Sequence, residues 1–221
     1  MKIIIVGGGI AGLSTYLHLC KHVLNTTAHT IILYESHKPR PQDSDRCHAS
    51  SQQHQAMLDL NGLSASTAVV GGGLGISPNG MRILRDLDID LHDQVVAQGF
   101  PAEKFIFKGA NGWTLGVQST SDKTVRTGSD EAEVCIASSR HGLWETIIHY
   151  AREKHGCGVV QYRKVVGVEK WQGGTFRVRS VDETGNEAVE EADLIVGADG
   201  VKSVVRAALF GDDCRYQPVY S

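Results

Sequence analysis

Residues 2–19, KIIIVGGGIAGLSTYLHL, decide the fold. Ile3 to Val6 is an unbroken apolar run, the pattern of a strand buried on both faces of a parallel sheet. Gly7, Gly9 and Gly12 follow at GxGxxG spacing. From Ala11 the apolar positions Leu13, Tyr16, Leu17 and Cys20 fall on one face of a helix. In such a strand–turn–helix unit each glycine has a mechanical task. Gly7 makes the tight turn, Gly9 lets a pyrophosphate approach the backbone, and Gly12 lets the helix pack against the strand. The amide groups at the helix start, and its dipole, then face the phosphates. A second strand, Thr30 to Tyr34, leads into Glu35, 23 residues after Gly12. An acid that meets a ribose hydroxyl is expected roughly 20 residues beyond the glycines. GxGxxG alone is a weak signal. Its place after a strand and at the opening of a helix favours dinucleotide binding over a glycine-rich structural turn.

Composition narrows the class. A chain of 221 residues with 41% hydrophobic content can bury one large core or two small ones. A net charge of −3 gives no reason to expect nucleic acid or an anionic membrane surface as a partner. The five cysteines are scattered and form no CxxC, so a reducing, cytoplasmic setting is expected. The apolar N-terminus is interrupted by three consecutive glycines and reads as strand and turn, not as a signal peptide. No run approaches the roughly 18 apolar residues of a membrane span. Cys47, His48 and His54 lie close together, but no second ligand pair follows at metal spacing, so no metal is expected. Oligomeric state is not written in the pattern.

Beyond Glu35 the chain turns polar from Pro39 to Ser66, an insertion with one short possible helix, Gln55 to Leu60. Ala68 to Ile76, AVVGGGLGI, is glycine-dense: either a loop before a helix or backbone passing close to a planar ligand. Ser77 is an expected N-cap, with Pro78 at the first helical position and Met81, Leu84 and Leu87 inward. Lys104 to Phe107 and Trp113 to Val117 read as a hairpin belonging to a second, mixed or antiparallel sheet. Ser119 to Glu131 reads as loop and Val134 to Ala137 as a strand. Arg140 then opens a helix carrying Leu143, Trp144, Ile147, Ile148 and Ala151. An arginine there opposes the helix dipole, so it is either the contact of an anionic partner or a solvated surface arginine. Cys157 to Gln161 is a short strand, and Lys164 to Trp171, Thr175 to Val181 and Glu187 to Glu190 form a meander. Leu194 to Val196 is a buried strand, Gly197 to Gly200 a tight turn, and Val201 to Leu209 a helix. Asp199 sits at the carboxyl end of a parallel strand, where open α/β sheets bind ligands. It is either a hydroxyl-binding carboxylate or an Asx-turn aspartate.

In order, VGGGIAGLS, Glu35, GLGISPNGMRILRDL, Ser139-Arg140-His141-Gly142-Leu143 and ADLIVGADGVKSVVR resemble the FAD-dependent aromatic hydroxylases. These are single-component flavoprotein monooxygenases of the para-hydroxybenzoate hydroxylase type, and the last stretch resembles their DG motif. The resemblance implies an α/β fold: a Rossmann-like FAD-binding parallel sheet with a β-meander, plus part of a second, mixed-sheet substrate domain. The boundaries it implies are 1–98 and 136–214 for the FAD-binding parts, 99–135 for substrate-domain sheet, and 215–221 for a tail. Gly7, Gly8, Gly9, Ile10, Ala11 and Gly12 would cradle the FAD pyrophosphate, and Glu35 would take the adenosine ribose. Leu74, Gly75 and Ile76 would lie near the isoalloxazine ring, and Arg140 near the ribityl-phosphate. Asp199 and Gly200 would close over the pyrophosphate, with Asp199 also serving the nicotinamide step. The insertion after Arg40 departs from the family, as does the lack of a later GD motif, so the chain is expected to be an N-terminal portion of such an enzyme.

The activity implied is hydride transfer from NADH or NADPH to FAD. Reaction with O₂ follows, and one oxygen atom passes to an aromatic or other electron-rich small molecule. The cofactor carries this chemistry, so no side chain is named as acid or base. Two alternatives remain: a catalytically inactive FAD-binding fragment or pseudoenzyme, and an NAD-dependent reductase with a plain Rossmann fold. The DG motif and the hairpins stand against the second.

Overall fold

The computed structural model describes residues 1–23, 29–38, 72–120 and 133–211. In chain order the elements are β1 (Lys2–Val6), α1 (Ile10–His22), β2 (Thr30–Glu35), β3 (Gly73–Ile76), α2 (Pro78–Leu87), α3 (Ile89–Gln98), β4 (Phe100–Ala102), β5 (Lys104–Lys108) and β6 (Thr114–Ser119). There follow β7 (Cys135–Ser139), α4 (Arg140–His155), β8 (Val160–Tyr162), β9 (Lys164–Lys170), β10 (Phe176–Val181), β11 (Glu187–Ala192), β12 (Leu194–Gly197) and α5 (Val204–Phe210). The chain divides into two compact units, Met1–Ser66 with Ala151–Ser221, and Thr67–Tyr150.

The first unit is built on a four-stranded sheet of order β12-β1-β2-β8, parallel throughout. Both neighbours of β1 are parallel strands, and Ile3, Ile4 and Ile5 have no solvent exposure. That is why the segment reads as a continuous apolar run with no alternation. Strands β9, β10 and β11 form the antiparallel meander, and Val165, Val178 and Ala192 pack with Ile4, Val6 and Tyr34 into one core. The third meander strand runs two residues further than the sequence suggests, to Ala192, which is buried.

A polar tie joins sheet and meander. Glu190 on β11 accepts hydrogen bonds from the Lys2 ammonium and from the Tyr34 hydroxyl, the latter at 2.6 Å. Burial pulls the Glu190 carboxyl upward. The Lys2 and Tyr34 hydrogen bonds and the Lys2 and Arg163 charges outweigh it and leave the group below its ordinary value. A depressed carboxyl contributes stability above its unfolded pKa of about 4.3 and loses it as pH falls through the lower folded value. Glu190→Gln is therefore expected to melt below the wild type at neutral pH. The gap should close as pH drops below about 4, read as melting temperature against pH.

The second unit holds a three-stranded antiparallel sheet, β3-β7-β4, and the separate antiparallel hairpin β5-β6. Helix α2 buries Met81, Leu84 and Leu87, as its spacing predicts. Ser77 stands at the N-cap position, but its hydroxyl engages the Asn79 side chain instead of a backbone amide. Helix α3 is unforeseen. Asp88 ends α2 and caps α3, its carboxylate accepting the Asp90 N–H at 2.8 Å, so two helices lie where one was read. Gln55–Leu60, the Cys47, His48 and His54 group and most of the expected 119–131 loop lie outside the described residues. Among the described residues no helix is long and apolar enough to cross a membrane.

Candidate functional site

The first and last turns of the parallel sheet meet. The Ala198 N–H donates to the Val6 carbonyl at 2.7 Å, and the Gly7 N–H to the Tyr34 carbonyl at 2.8 Å. Gly7 has φ +106°, and a Cβ placed on it would overlap the Ala198 carbonyl oxygen and sit 2.9 Å from the Asp199 nitrogen. A Cβ on Gly12 would overlap the Gly7 carbonyl oxygen. These two glycines are demanded by close backbone approach. The glycine turn, the start of α1 and the Ala198–Asp199 turn are thus one packed assembly at the carboxyl ends of β1 and β12.

Gly9 is different. Its backbone is extended, with φ −73° and ψ −175°, and no described atom lies within 4 Å of where its Cβ would be. It is the N-cap residue of α1, no side chain caps that end, and the first turn holds no acid. The amides of Ile10, Ala11 and Gly12 belong to the set that an α-helix leaves without intrahelical partners. An uncapped helix start beside open space suits a diphosphate, which accepts from amides and is favoured by the dipole.

Glu35 ends β2 with its carboxylate oriented from several sides. Oε2 accepts the Gly8 N–H at 2.7 Å, and Oε1 accepts the His37 N–H at 2.9 Å and the Ser36 hydroxyl at 3.1 Å. The Gly8 amide is therefore given to Glu35, so this residue ties the turn to the acid. Each carboxylate oxygen has more than one acceptor site, which leaves capacity for a ribose hydroxyl.

Asp199 lies on the same side of the sheet edge as Gly7, and its side chain is already engaged. Oδ1 accepts the Ser203 hydroxyl at 2.6 Å and Oδ2 the Val204 N–H at 2.6 Å, while Ser203 Oγ accepts the Arg206 N–H at 2.9 Å. This double cap fixes the start of α5 at Val204, later than the sequence suggests. What Asp199 offers the glycine turn is its backbone. Ser203 is the residue the sequence reading left without a role; its signal was a hydroxyl directly before the apolar pair Val204-Val205. Gly200 follows with φ +77° and open space around it.

Gly75 and Arg140 belong to the second unit. Gly75 pairs with Ala137 across β3 and β7, and a Cβ there would lie 3.2 Å from the Cys135 sulfur. Leu74 and Ile76 flank it on the same strand. Arg140 opens α4, its N–H donating to the Gly72 carbonyl at 3.2 Å, while Ser139 Oγ accepts the Gly142 N–H at 2.9 Å as the cap. The Arg140 side chain is exposed and makes no hydrogen bond or ion pair among the described residues.

Comparison with known proteins gives the same direction. Residues 1–212 match the family described as FAD binding domain. The 3-amino-4-hydroxybenzoate 2-monooxygenase of Streptomyces cremeus is 28% identical over 154 residues, covering 66% of this chain and 34% of that enzyme. The FAD-dependent monooxygenase penE of Penicillium thymicola is 28% identical over 211 residues, covering 95% of this chain and 35% of that protein. The chain spans about a third of the length of these curated relatives. Among solved structures, the flavin-dependent monooxygenase PieE in complex with FAD and substrate aligns at a TM-score of 0.61 with 21% identity. That match covers 95% of this chain and 32% of the other, and it is a likeness of fold.

Proposed function

The chain belongs to the FAD-binding domain family, and from that premise we propose that it holds FAD along the carboxyl edge of its parallel sheet as the nucleotide-binding part of a flavin monooxygenase. The observation that carries this is the uncapped start of α1 beside the open space at Gly9, framed by the contact of Gly7 with Ala198. The α1 amides bind the pyrophosphate, Glu35 takes the ribose hydroxyls, and the Asp199 turn braces the glycine turn from behind. Arg140 is assigned to the ribityl-phosphate and Leu74, Gly75 and Ile76 to the surroundings of the flavin ring. Residues 99–135, with the β5-β6 hairpin, are assigned to the substrate side.

Bound flavin supplies hydride acceptance and oxygen activation; the chain binds, orients and shields it. NADH or NADPH is the proposed reductant, with O₂ and an aromatic or other electron-rich small molecule as co-substrates. The names of the Streptomyces and Penicillium relatives support this class.

The test is direct. Protein purified with added FAD is expected to stay yellow after gel filtration, with a protein-bound flavin band. Oxidation of NADH or NADPH should rise on addition of an aromatic substrate, with ¹⁸O from ¹⁸O₂ appearing in the product. Colourless protein after FAD loading overturns the binding assignment. Retained flavin without substrate-stimulated oxidation overturns the catalytic part and leaves an FAD-binding chain.

A further inference from the structure

We infer that Gln98 is the positioning residue of Arg140: its side-chain amide packs against the first turn of α4 and fixes the helix start that carries the arginine. This rests on the FAD reading, in which Arg140 meets the ribityl-phosphate. Arg140 is the first residue of α4, and its exposed side chain has no hydrogen bond or ion pair among the described residues. A guanidinium on a long, rotamer-rich stem is placed chiefly by its backbone. An anion contact made by Arg140 therefore depends on where α4 begins and on how firmly that first turn is held.

Three observations bring Gln98 to that turn. Gln98 closes α3, and the next residue, Gly99, lies against β7: a Cβ on it would overlap Ile136 Cγ2 and sit 2.9 Å from the Ala137 carbonyl oxygen. The end of α3 is thus seated on the strand that leads into α4. On that strand the buried Ser138 donates its hydroxyl to Gln98 Oε1 at 2.7 Å, which fixes one end of the amide. The other end lies on α4, where a Cβ on Gly142 would overlap Gln98 Nε2 and sit 2.7 Å from its Cδ. Only a glycine at 142 leaves room for that amide. The first turn is then held from three sides. The Gly72 carbonyl accepts the Arg140 N–H, Ser139 Oγ accepts the Gly142 N–H, and Gln98 fills the space beside Gly142. The first two satisfy amides that a helix start leaves without partners. The third is a packed wedge, and removing it frees the turn to shift.

The test is a double-substitution cycle, read by titrating the flavin-stripped full chain with FAD and following flavin fluorescence. Gln98→Ala is expected to weaken FAD about fivefold in the wild-type background, and less than about twofold where Arg140 is already replaced by alanine. A side chain that only supported the fold would cost the same affinity with and without Arg140. Ser138→Ala removes the donor to Gln98, so it should show the same dependence on Arg140 and add little to Gln98→Ala. It takes the place of Gln98→Ala in the cycle if that variant melts too early to titrate. Melting temperature checks the contact itself. Gly142→Ala should melt below the wild type, and adding Gln98→Ala should recover part of the loss, because the amide no longer meets the new methyl group. Equal losses in the two backgrounds, no loss in the wild-type background, or no recovery of Gly142→Ala overturns the inference. Wild-type FAD affinity in Arg140→Ala sinks the Arg140 assignment and this inference with it, while FAD binding stands. A wild-type chain that takes up no FAD sinks the reading beneath both.

Discussion

Gly9→Val is expected to abolish FAD retention while the protein stays folded. The two halves of that result have separate causes. The Gly9 backbone has φ −73° and ψ −175°, a conformation any L-residue adopts, and no described atom lies within 4 Å of the new Cβ. The protein therefore has room for the side chain. Valine is a poorer N-cap than glycine, at a cost on the order of 1 kcal/mol. The smaller conformational freedom of the unfolded valine chain offsets part of that. The space it fills is where a diphosphate would reach the amides of Ile10, Ala11 and Gly12. Two methyl groups there hold an anion away from N–H groups that bind at about 2.8 Å. Flavin-to-protein ratio after gel filtration should fall to below about a tenth of wild type, a loss of more than about 1.4 kcal/mol. The melting temperature of the flavin-free forms should differ by only a few degrees. Wild-type flavin occupancy in this variant contradicts the placement of the pyrophosphate. A collapse of the melting temperature contradicts the claim that the space is open.

Much of this was legible because the signals are local. Ile3 to Val6 has one reading once it is followed by GxGxxG; Leu194 to Val196, followed by Gly197-Ala198-Asp199-Gly200, is a strand as read but not a buried one, since β12 is an outer strand of its sheet and Leu194 is exposed. The meeting of these two turns required tertiary structure, since nothing in either segment states that β12 is the neighbour of β1. Side-chain commitments were equally hidden. Asp199 reads as a ligand-binding acid or a turn former, and only the Ser203 hydroxyl and Val204 amide settle where its oxygens point. Gly8 reads as part of the phosphate turn, yet its amide goes to Glu35, 27 residues away in sequence. Helix α3 escaped because its buried face is only Leu91, His92 and Val95 in a stretch rich in acids, and Asp88 looks like a solvated charge until it is seen to cap. Ser77 was a sound N-cap by type. The nearby Asn79 side chain competed for its hydroxyl.

Gly7→Ala is the variant expected to cost most in stability, and a companion glycine isolates the reason. Gly7 and Gly200 both lie at positive φ, +106° and +77°, where a β-carbon strains the backbone. That strain alone is worth about 1–2 kcal/mol. Around Gly200 no described atom lies within 4 Å of a new Cβ, so Gly200→Ala should show the strain and little else. At Gly7 the Cβ would overlap the Ala198 carbonyl oxygen and lie 2.6 Å from its carbon, atoms of backbone that cannot rotate away. Relief requires β12 and the Asp199 turn to move off β1, which breaks the Ala198 N–H to Val6 hydrogen bond. Overpacking of this kind adds about 1–3 kcal/mol. Chemical denaturation should therefore place Gly7→Ala about 2–5 kcal/mol below wild type and at least about 1 kcal/mol below Gly200→Ala. Flavin affinity should fall with it, because the same movement shifts the turn that carries the α1 amides. Equal destabilisation by the two substitutions would mean that the first and last turns do not press against each other, and the two segments would then lose their common ligand.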